Sequence, residues 1–254
     1  MLTKRVVVCL DVDGDRVVKG TRFVNLRDVG DPSALAERYE QENADEIVLL
    51  DISATQEKRR TLFDLISRTA SRLTLPLTVG GGVGSVDDVR AILRSGGDKV
   101  GINSAAVADP SLLSRAADEF GSQCVVAAID VRRENGSWKV YTHGGRQATG
   151  LDAIDWTTEC VERGAGEILL TSVDRDGTRS GYDVDLVRAI AGEVNVPVVA
   201  SGGAGSPADI VDVLRAGADA ALVAGIVHDG VETIASIKEA MAASGLPVRD
   251  GAAT

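Results

Sequence analysis

The hydrophobic residues of this chain fall into short runs of strand length, which are separated by longer segments with a mixed, amphipathic pattern. Polar residues rarely interrupt the runs, and this is typical of strands covered on both faces in a parallel sheet. Eight such runs cover residues 5–12, 46–52, 75–80, 98–103, 124–130, 167–172, 196–201 and 219–224. Eight strand and helix units in this order predict an α/β fold, a (β/α)8 TIM barrel that forms one domain over residues 1–254. An open doubly wound sheet is the alternative.

The segments between the runs carry helix boundary signals. Asp31, Asp109 and Ser206 each precede a proline, so a capping side chain is followed by a residue suited to the first helical position. Five glycines follow helical segments and are predicted to cap their C-termini, namely Gly96, Gly121, Gly164, Gly192 and Gly217. These signals place helices between the strands, as a barrel requires.

The chain also repeats itself at about half its length. Residues 75–106 align without gaps on residues 196–227, an offset of 121, with ten of 32 positions identical. The same offset pairs Glu46 with Glu167, and an offset of 119 pairs Asp11 with Asp130. Two half-barrels, about residues 1–122 and 123–254, are therefore predicted to close into one barrel with twofold pseudosymmetry.

Two connections are longer than a minimal barrel needs. Residues 13–30, a long polar loop after the first strand, contain glycines together with Lys19 and Arg22. Residues 132–145 contain Glu-Asn-Gly-Ser at 134–137, which predicts a small hairpin after the fifth strand. Both follow the carboxyl ends of strands, where the active sites of such barrels form, and long loops in compact domains are usually functional.

Composition excludes several classes of partner and site. With 44% hydrophobic residues, 3% aromatic residues and 28 glycines, the chain is typical of a soluble globular protein. Its formal net charge of -11 disfavours nucleic acid as a partner. The three cysteines lack metal-ligand spacing, so we expect neither a disulfide framework nor a bound metal, and no pattern indicates a cofactor. Without a signal peptide pattern or a run of membrane-spanning length, we expect a cytoplasmic protein.

Two carboxylates are the candidate catalytic groups. Asp11 and Asp130 end the first and fifth strands at equivalent positions of the two halves, so they are predicted to face each other across the barrel mouth. Facing carboxylates suit general acid and general base roles, because their environments can be tuned apart. The alternative is that each is neutralised by a neighbour such as Lys19 and only holds a loop in place.

Glycine-rich turns followed by helix starts occur in both halves. The Gly-Gly-Gly turn at 80–82 precedes Ser85, and the Gly-Gly turn at 202–203 precedes Ser206, so each half offers backbone N–H groups near a positive helix end. One such turn would be weak evidence, but two symmetric turns indicate a ligand with a phosphate at each end. The candidate substrate ligands are Lys19, Gly81, Gly82, Asn103, Ser104, Thr171, Asp176, Gly177, Ser201, Gly202, Gly203, Ala224 and Gly225.

Four charged residues open strands one, two, four and six at the opposite end of the barrel. They are Arg5, Glu46, Lys99 and Glu167. Side chains alternate along a strand, so Lys99 shares a face with Asn103 and Glu167 with Thr171, and both are expected to point inward. Two cations and two carboxylates would neutralise each other in the barrel floor. The residues alone leave open whether they form a structural plug or a gate.

Other motifs indicate neither a nucleophilic triad nor a calcium site. His143 and His228 lie far apart without a partner pattern, so a nucleophilic triad is unsupported. The Asp-Arg-Asp-Gly sequence at 174–177 resembles part of a calcium loop but lacks the later ligands, and we interpret it as the loop after the sixth strand.

Five stretches together resemble the cyclase subunits of imidazole glycerol phosphate synthases, and the resemblance runs from Lys4 to about Arg249. The stretches are Cys-Leu-Asp-Val at 9–12, Arg-Val-Val-Lys-Gly at 16–20, Asn-Leu-Arg-Asp at 25–28, Gly-Ala-Gly-Glu-Ile-Leu-Leu-Thr at 164–171 and Asp-Arg-Asp-Gly-Thr at 174–178. Three positions depart from the family pattern. Asp15 stands before Arg16 where glycine is usual, and Gly101 and Gly225 replace common serines.

The resemblance implies a specific reaction. The substrate would be the diphosphorylated ribulosyl form of a formimino-aminoimidazole-carboxamide ribonucleotide. Its reaction with ammonia would give imidazole glycerol phosphate and an aminoimidazole-carboxamide ribotide in histidine biosynthesis. Asp11 and Asp130 would perform the acid–base steps, and Lys19 would lie on a mobile loop that closes over the substrate.

The resemblance also implies a partner, a glutaminase subunit that forms a heterodimer on the N-terminal face of the barrel. Its ammonia would pass the four charged floor residues, which favours a gate over a plug. Asp98 and Gln123 match positions associated with partner contact. The closest alternative function is the phosphoribosyl-formimino isomerase of the same pathway, a similar barrel that needs no ammonia. A non-catalytic phosphosugar-binding barrel is the alternative from another class.

Overall fold

The strands form the barrel and two hairpins at its rim. The computed structural model describes residues 2–21, 24–52 and 59–249. In chain order they are β1 (Arg5–Asp13), β2 (Arg16–Thr21), β3 (Val24–Gly30), β4 (Glu46–Asp51), β5 (Leu77–Gly80), β6 (Lys99–Ile102), β7 (Val125–Glu134), β8 (Ser137–Thr142), β9 (Gln147–Asp152), β10 (Glu167–Ser172), β11 (Val198–Ser201) and β12 (Ala220–Val223). Eight of these described strands pair in parallel in the order β1-β4-β5-β6-β7-β10-β11-β12, and β12 pairs with β1 again. The predicted (β/α)8 barrel is confirmed, and the open sheet is wrong because both of its edges are paired.

Helices follow the barrel strands. They are α1 (Pro32–Gln41), α2 (Arg59–Ala70), α3 (Val86–Arg94), α4 (Ser104–Ala108), α5 (Ser111–Phe120), α6 (Ala153–Glu162), α7 (Val184–Glu193), α8 (Pro207–Arg215), α9 (Gly225–His228) and α10 (Ile234–Ala243). None of the helices within the described ranges has both the length and the apolar character of a membrane span.

Most predicted helix boundaries are confirmed. Asp31 and Ser206 are N-caps whose side chains accept hydrogen bonds from backbone N–H groups of α1 and α8. Asp109 lies two residues before α5, where its carboxylate accepts from the Ser111 N–H at 3.1 Å. The prediction for Gly192 is wrong, because α7 continues through it to Glu193.

The half-chain repeat is visible in the backbone. The offset of 121 relates β5 to β11, α3 to α8 and β6 to β12 without adjustment of either boundary. It also relates side-chain contacts, because Asp98 accepts from the N–H of the first β5 residue at 2.8 Å and Asp219 does the same for β11 at 3.1 Å. The two halves therefore position their strand ends in the same way.

The long connection after β1 is more ordered than the predicted loop. Residues 13–30 contain the antiparallel strands β2 and β3, and β2 also pairs with the end of β1. Gly14, with a φ of +66°, allows the tight turn between β1 and β2, and Arg16 donates two hydrogen bonds to Asp28 across the hairpin. Because backbone pairing satisfies its polar groups, this segment forms a hairpin at the mouth; Arg22 lies outside the described residues.

The hairpin after the fifth barrel strand is confirmed. Strand β7 runs on to Glu134 and pairs with β8, and β9 pairs with β8 in turn. Asn135 and Gly136 both have positive φ, at 49° and 84°, as a two-residue turn of this hand requires.

Two apolar clusters form the core. The larger one lies between the strands and the surrounding helices, with Leu10, Ile47 and Ile129 fully buried. A smaller cluster of Val7, Cys9, Val48, Val199, Ala220 and Leu222 contains alternate residues of the barrel strands. Side chains alternate along a strand, so this second cluster fills the inside of the barrel.

Candidate active site

Asp11 and Asp130 lie at the carboxyl ends of β1 and β7, which are opposite strands of the barrel. Three strands separate β1 from β7 in either direction around the closed sheet. Both carboxylates interact electrostatically with Asp176, which raises the pKa of each. The two predicted residues therefore share one mouth, with the carboxylate of Asp176 close enough to act on both.

Burial raises the pKa of Asp11 above its usual value. The Lys19 ammonium opposes this rise, and so does the Cys9 thiol, which donates to Oδ1 of Asp11 at 3.3 Å. The Cys9 thiol is itself buried beside Asp11, and this raises its pKa well above the ordinary value. The thiol thus stays protonated and serves Asp11 as a hydrogen-bond donor.

Asp130 is the more strongly shifted of the two carboxyl groups, because burial raises its pKa to about 6. The Asn103 side chain and the Gly145 backbone N–H donate to the carboxylate and limit the rise, while Asp176 adds to it. A carboxyl group with a pKa near neutrality can both accept and donate a proton at the pH of a cell.

Asn103 has an unused acceptor beside Asp130. Its Oδ1 is buried and, within the described part of the chain, has no hydrogen-bond partner. An unpaired buried acceptor costs about 1–3 kcal/mol, so this oxygen favours a donor from water or from a ligand at the mouth.

The glycine turn of the first half, predicted to bind phosphate, depends on glycine. Gly81 has a φ of +96°, and a Cβ at this position would lie 2.0 Å from the carbonyl oxygen of Asp51 on the neighbouring strand. Gly82 also has a positive φ, at 64°. At the end of the next strand, Ser104 accepts a hydrogen bond from the His143 N–H at 3.0 Å, which links the start of α4 to the segment between β8 and β9.

The second-half turn repeats this geometry. Cβ atoms at Gly202 and Gly203 would lie 2.6 Å from the Ser172 carbonyl oxygen and 2.2 Å from that of Gly181. Ser201 and Ala224 precede the turn and the short helix α9, respectively. Only glycine fits at both positions, because a side chain there would overlap the backbone of the neighbouring chain segment.

The remaining predicted ligands line the rim between the two turns. In the sheet register Thr171 lies beside Asp130 on one side and beside Ser201 on the other. Asp176 and Gly177 follow in the loop after β10, where the Asp176 N–H donates to the Ser172 carbonyl at 3.0 Å and Gly177 has a φ of +71°.

The four charged floor residues form a closed ring of ion pairs. Arg5 donates to Glu46 at 2.8 Å and to Glu167 at 2.5 Å, and Lys99 donates to the same two carboxylates at 2.9 and 2.6 Å. Burial lowers the pKa of Arg5, but Glu167 and Glu46 outweigh it, so the net shift is upward. The expected mutual neutralisation is confirmed, and the gating role stays a prediction.

Sequence reasoning missed several residues at the mouth. His228 was set aside for lack of a partner, yet its Nε2 contacts the Cys9 carbonyl at 3.0 Å and its Nδ1 the Tyr39 hydroxyl at 2.7 Å. Burial lowers the pKa of His228 to about 4, so the ring is neutral and ties α9 to β1 near Asp11. Arg179 and Asp229 gave no sequence signal, because each acts through residues distant in the chain.

This chain is similar to known proteins over almost its whole length. Residues 5–233 match the family described as "Histidine biosynthesis protein". The chain is 62% identical over 250 residues to the "Imidazole glycerol phosphate synthase subunit HisF" of Myxococcus xanthus (strain DK1622), covering 98% of this chain and 99% of that protein. It is 57% identical to the protein of the same name from Gluconacetobacter diazotrophicus, covering 98% and 97% of the two chains. The same name is carried by a 55% identical protein of Dehalococcoides mccartyi, with coverage of 98% and 99%.

Proposed function

Because this chain belongs to the histidine biosynthesis protein family, and within it to the HisF subunits of imidazole glycerol phosphate synthase, we propose that Asp11 and Asp130 catalyse the cyclase reaction at the barrel mouth. The chain is thus a lyase of histidine biosynthesis. The reaction would join ammonia to the ribulosyl formimino-aminoimidazole-carboxamide ribonucleotide and release imidazole glycerol phosphate, an aminoimidazole-carboxamide ribotide and one water molecule.

The observation that carries the proposal is the pair of shifted carboxyl groups on opposite strands. Closing an imidazole ring requires protons to be removed from nitrogen and delivered to a leaving oxygen, and two separately tuned carboxyl groups can divide that work. Asp130, with a pKa of about 6, exchanges protons readily near neutral pH. Asp11 is held next to the Lys19 ammonium, which favours its ionised form against burial.

The two glycine turns would bind the two phosphates of the substrate. They lie on opposite sides of the mouth, at the ends of β5 and β11, and each precedes the first turn of a helix of nine residues. Backbone N–H groups at such a helix start favour anions. The unused Asn103 acceptor and the Asp176 carboxylate would then receive donors from the part of the substrate between the phosphates.

Ammonia would reach the mouth through the barrel. The relatives are named as subunits of a synthase, which implies a partner subunit, and we place a glutaminase partner on the N-terminal face next to the ring of four charges. Above the ring the barrel interior is apolar, with Val7, Val48 and Leu222 buried around it. A neutral ammonia molecule crosses such a lining more easily than ammonium, because an unpaired charge is costly there.

The test is a cyclase assay with the diphosphorylated substrate and saturating ammonium salt. The wild-type chain should turn over, whereas Asp11→Asn and Asp130→Asn should each lose at least about a hundredfold in kcat, as expected for a general acid or base. Both variants should still bind the substrate, as measured by calorimetry. The exposed Asp118 on α5 supplies the control Asp118→Asn.

Near-normal turnover in either active-site variant contradicts the assignment of roles. The isomerase substrate is assayed beside the cyclase substrate, and turnover of that substrate alone would favour the isomerase. Binding of the substrate without any turnover would favour a non-catalytic phosphosugar-binding barrel.

A further inference from the structure

The β2–β3 hairpin carries two cations on one face. Lys19 and Arg27 are directly opposite in the antiparallel register, and side chains of such a pair lie on the same side of the sheet. Lys19 reaches α9, because its Cε and Nζ lie 3.1 and 3.8 Å from the place where a Cβ of residue 225 would stand. The cationic face of the hairpin therefore lies over Gly225, one of the candidate phosphate ligands.

A third cation approaches Gly225 from the loop after β10. Nη2 of Arg179 donates to the Gly225 carbonyl oxygen at 3.3 Å and lies 3.6 Å from the same Cβ position. Arg179 has a φ of 55°, so the backbone that presents it is held in a left-handed conformation. Lys19, Arg27 and Arg179 thus come together from separate segments of the chain.

Asp229 joins two of these cations. One of its carboxylate oxygens accepts from Nη2 of Arg27 and the other from Nη2 of Arg179. Its side chain is 25% exposed, against 57% for Arg27 and 41% for Arg179, so the short carboxylate is the more firmly packed partner. Asp229 directly follows α9 and therefore sits at a fixed distance from Gly225 in the chain.

The cluster keeps the capacity to bind an anion. The four side chains of Lys19, Arg27, Arg179 and Asp229 together carry a net positive charge, in a chain whose formal net charge is -11. Each ion pair with Asp229 uses one terminal nitrogen, whereas a guanidinium group has five N–H donors. A phosphate at Gly225 could therefore accept from both arginines without displacing Asp229.

We propose that Asp229 is a positioning residue of the second-half phosphate site. It holds Arg27 and Arg179 near the start of α9, where they and Lys19 bind the substrate phosphate at Gly225. The absence of a side chain at Gly225 leaves the space into which Lys19 extends. This inference rests on the proposed function for the identity of the phosphate-bearing substrate.

The test measures KM and kcat for the diphosphorylated substrate at saturating ammonium in Asp229→Asn, Asp229→Glu, Arg179→Gln and the double variant Asp229→Asn/Arg179→Gln. Asp229→Asn should raise KM about fivefold to tenfold, because two long side chains must then be ordered by the ligand, and should leave kcat within about twofold. Asp229→Glu should recover part of the affinity. In the Arg179→Gln background Asp229→Asn should have a smaller effect, because Asp229 then positions Arg27 alone.

The matched control is Asp185→Asn, which removes another exposed aspartate–arginine pair, with Arg188 on α7, and should leave KM unchanged. An unchanged KM in Asp229→Asn, a loss confined to kcat, or fully additive effects in the double variant would each overturn the proposal. Loss of the proposed function would show separately, as a wild-type chain without cyclase turnover. Calorimetric titration with inorganic phosphate, comparing wild type with Asp229→Asn, would then still test the site.

Discussion

Replacing Asp130 by asparagine should stabilise the fold at neutral pH while it destroys activity. Burial raises the pKa of this carboxyl to about 6, so the folded chain holds a proton that the unfolded chain has already lost. The contribution of the protonated carboxyl to stability is complete below the unfolded pKa and is lost as the pH rises through about 6. Asparagine does not titrate and keeps an oxygen that can accept from the Gly145 N–H.

The size of the effect follows from the two pKa values. A shift from 3.8 to about 6 corresponds to about 3 kcal/mol between the two limits, at about 1.4 kcal/mol per unit. About 2 kcal/mol of this should fall between about pH 4.5 and 7.5, since part of the loss occurs below that range. Relative to wild type, Asp130→Asn should therefore gain about 2 kcal/mol in the free energy of unfolding over this interval.

The assay is urea unfolding of wild type and Asp130→Asn at several pH values across this range. The difference between the free energies of unfolding of the two proteins is then plotted against pH. Contributions from the titration of all other groups cancel in this difference. Asp118→Asn, which removes an exposed carboxyl on α5, is the control. Its free energy of unfolding relative to wild type should change little across this pH range.

A difference between wild type and Asp130→Asn that stays flat with pH would refute the reasoning, because Asp130 would then titrate alike in both states. A difference that moves in favour of wild type as the pH rises would also refute it. That result would mean that the donors Asn103 and Gly145 outweigh burial and favour the ionised form.

Two further predictions concern the floor and the first glycine turn. Lys99→Met leaves Glu46 and Glu167 with one cation, so the free energy of unfolding should fall by about 3–5 kcal/mol. In complex with the glutaminase partner, the Lys99→Met variant should lose more glutamine-dependent turnover than ammonium-dependent turnover. Lys4→Met, on the same face of the barrel, is the control. Equal losses of the two activities in Lys99→Met would favour a structural plug. Gly81→Ala should lower stability by more than about 2 kcal/mol, because its Cβ would overlap the Asp51 carbonyl. Gly84→Ala should not, because its Cβ would meet only the Asp88 carboxylate, at an ordinary contact distance of 3.7 Å. Similar unfolding midpoints for the two alanine variants would contradict this steric argument.

Local signals in the chain were sufficient for the barrel strands and most helix starts. Continuous apolar runs identify strands buried on both faces, and Asp31 and Ser206 identify helix starts because capping is a contact between near neighbours. The prediction that Gly192 ends a helix was wrong, because the sequence does not distinguish a glycine inside a helix from one that follows its last turn. The hairpin at residues 16–30 was missed because its strands are short and rich in polar residues, and the apolar alternation of β3 ends after four residues.

The half-chain repeat made it possible to predict the site residues as well as the fold. It related Asp11 to Asp130 and one glycine turn to the other, and closure of the sheet then brings equivalent strand ends to the same mouth. The ion pairs in the barrel floor could also be predicted from the sequence. Arg5, Lys99, Glu46 and Glu167 all lie at strand starts, and their opposite charges indicate that the two cations pair with the two carboxylates.

The amino-acid sequence by itself determined the barrel, its two halves and the carboxylates and glycine turns at its mouth, since all of these follow from periodicity and from position along a strand. Only the tertiary structure decided which groups surround them. Burial sets the pKa of Asp130, and the meeting of Lys19, Arg27, Arg179 and Asp229 at Gly225 joins residues up to 210 positions apart. Protonation and ion pairing depend on distance and solvent access in three dimensions, and these are properties that no local pattern in the chain encodes.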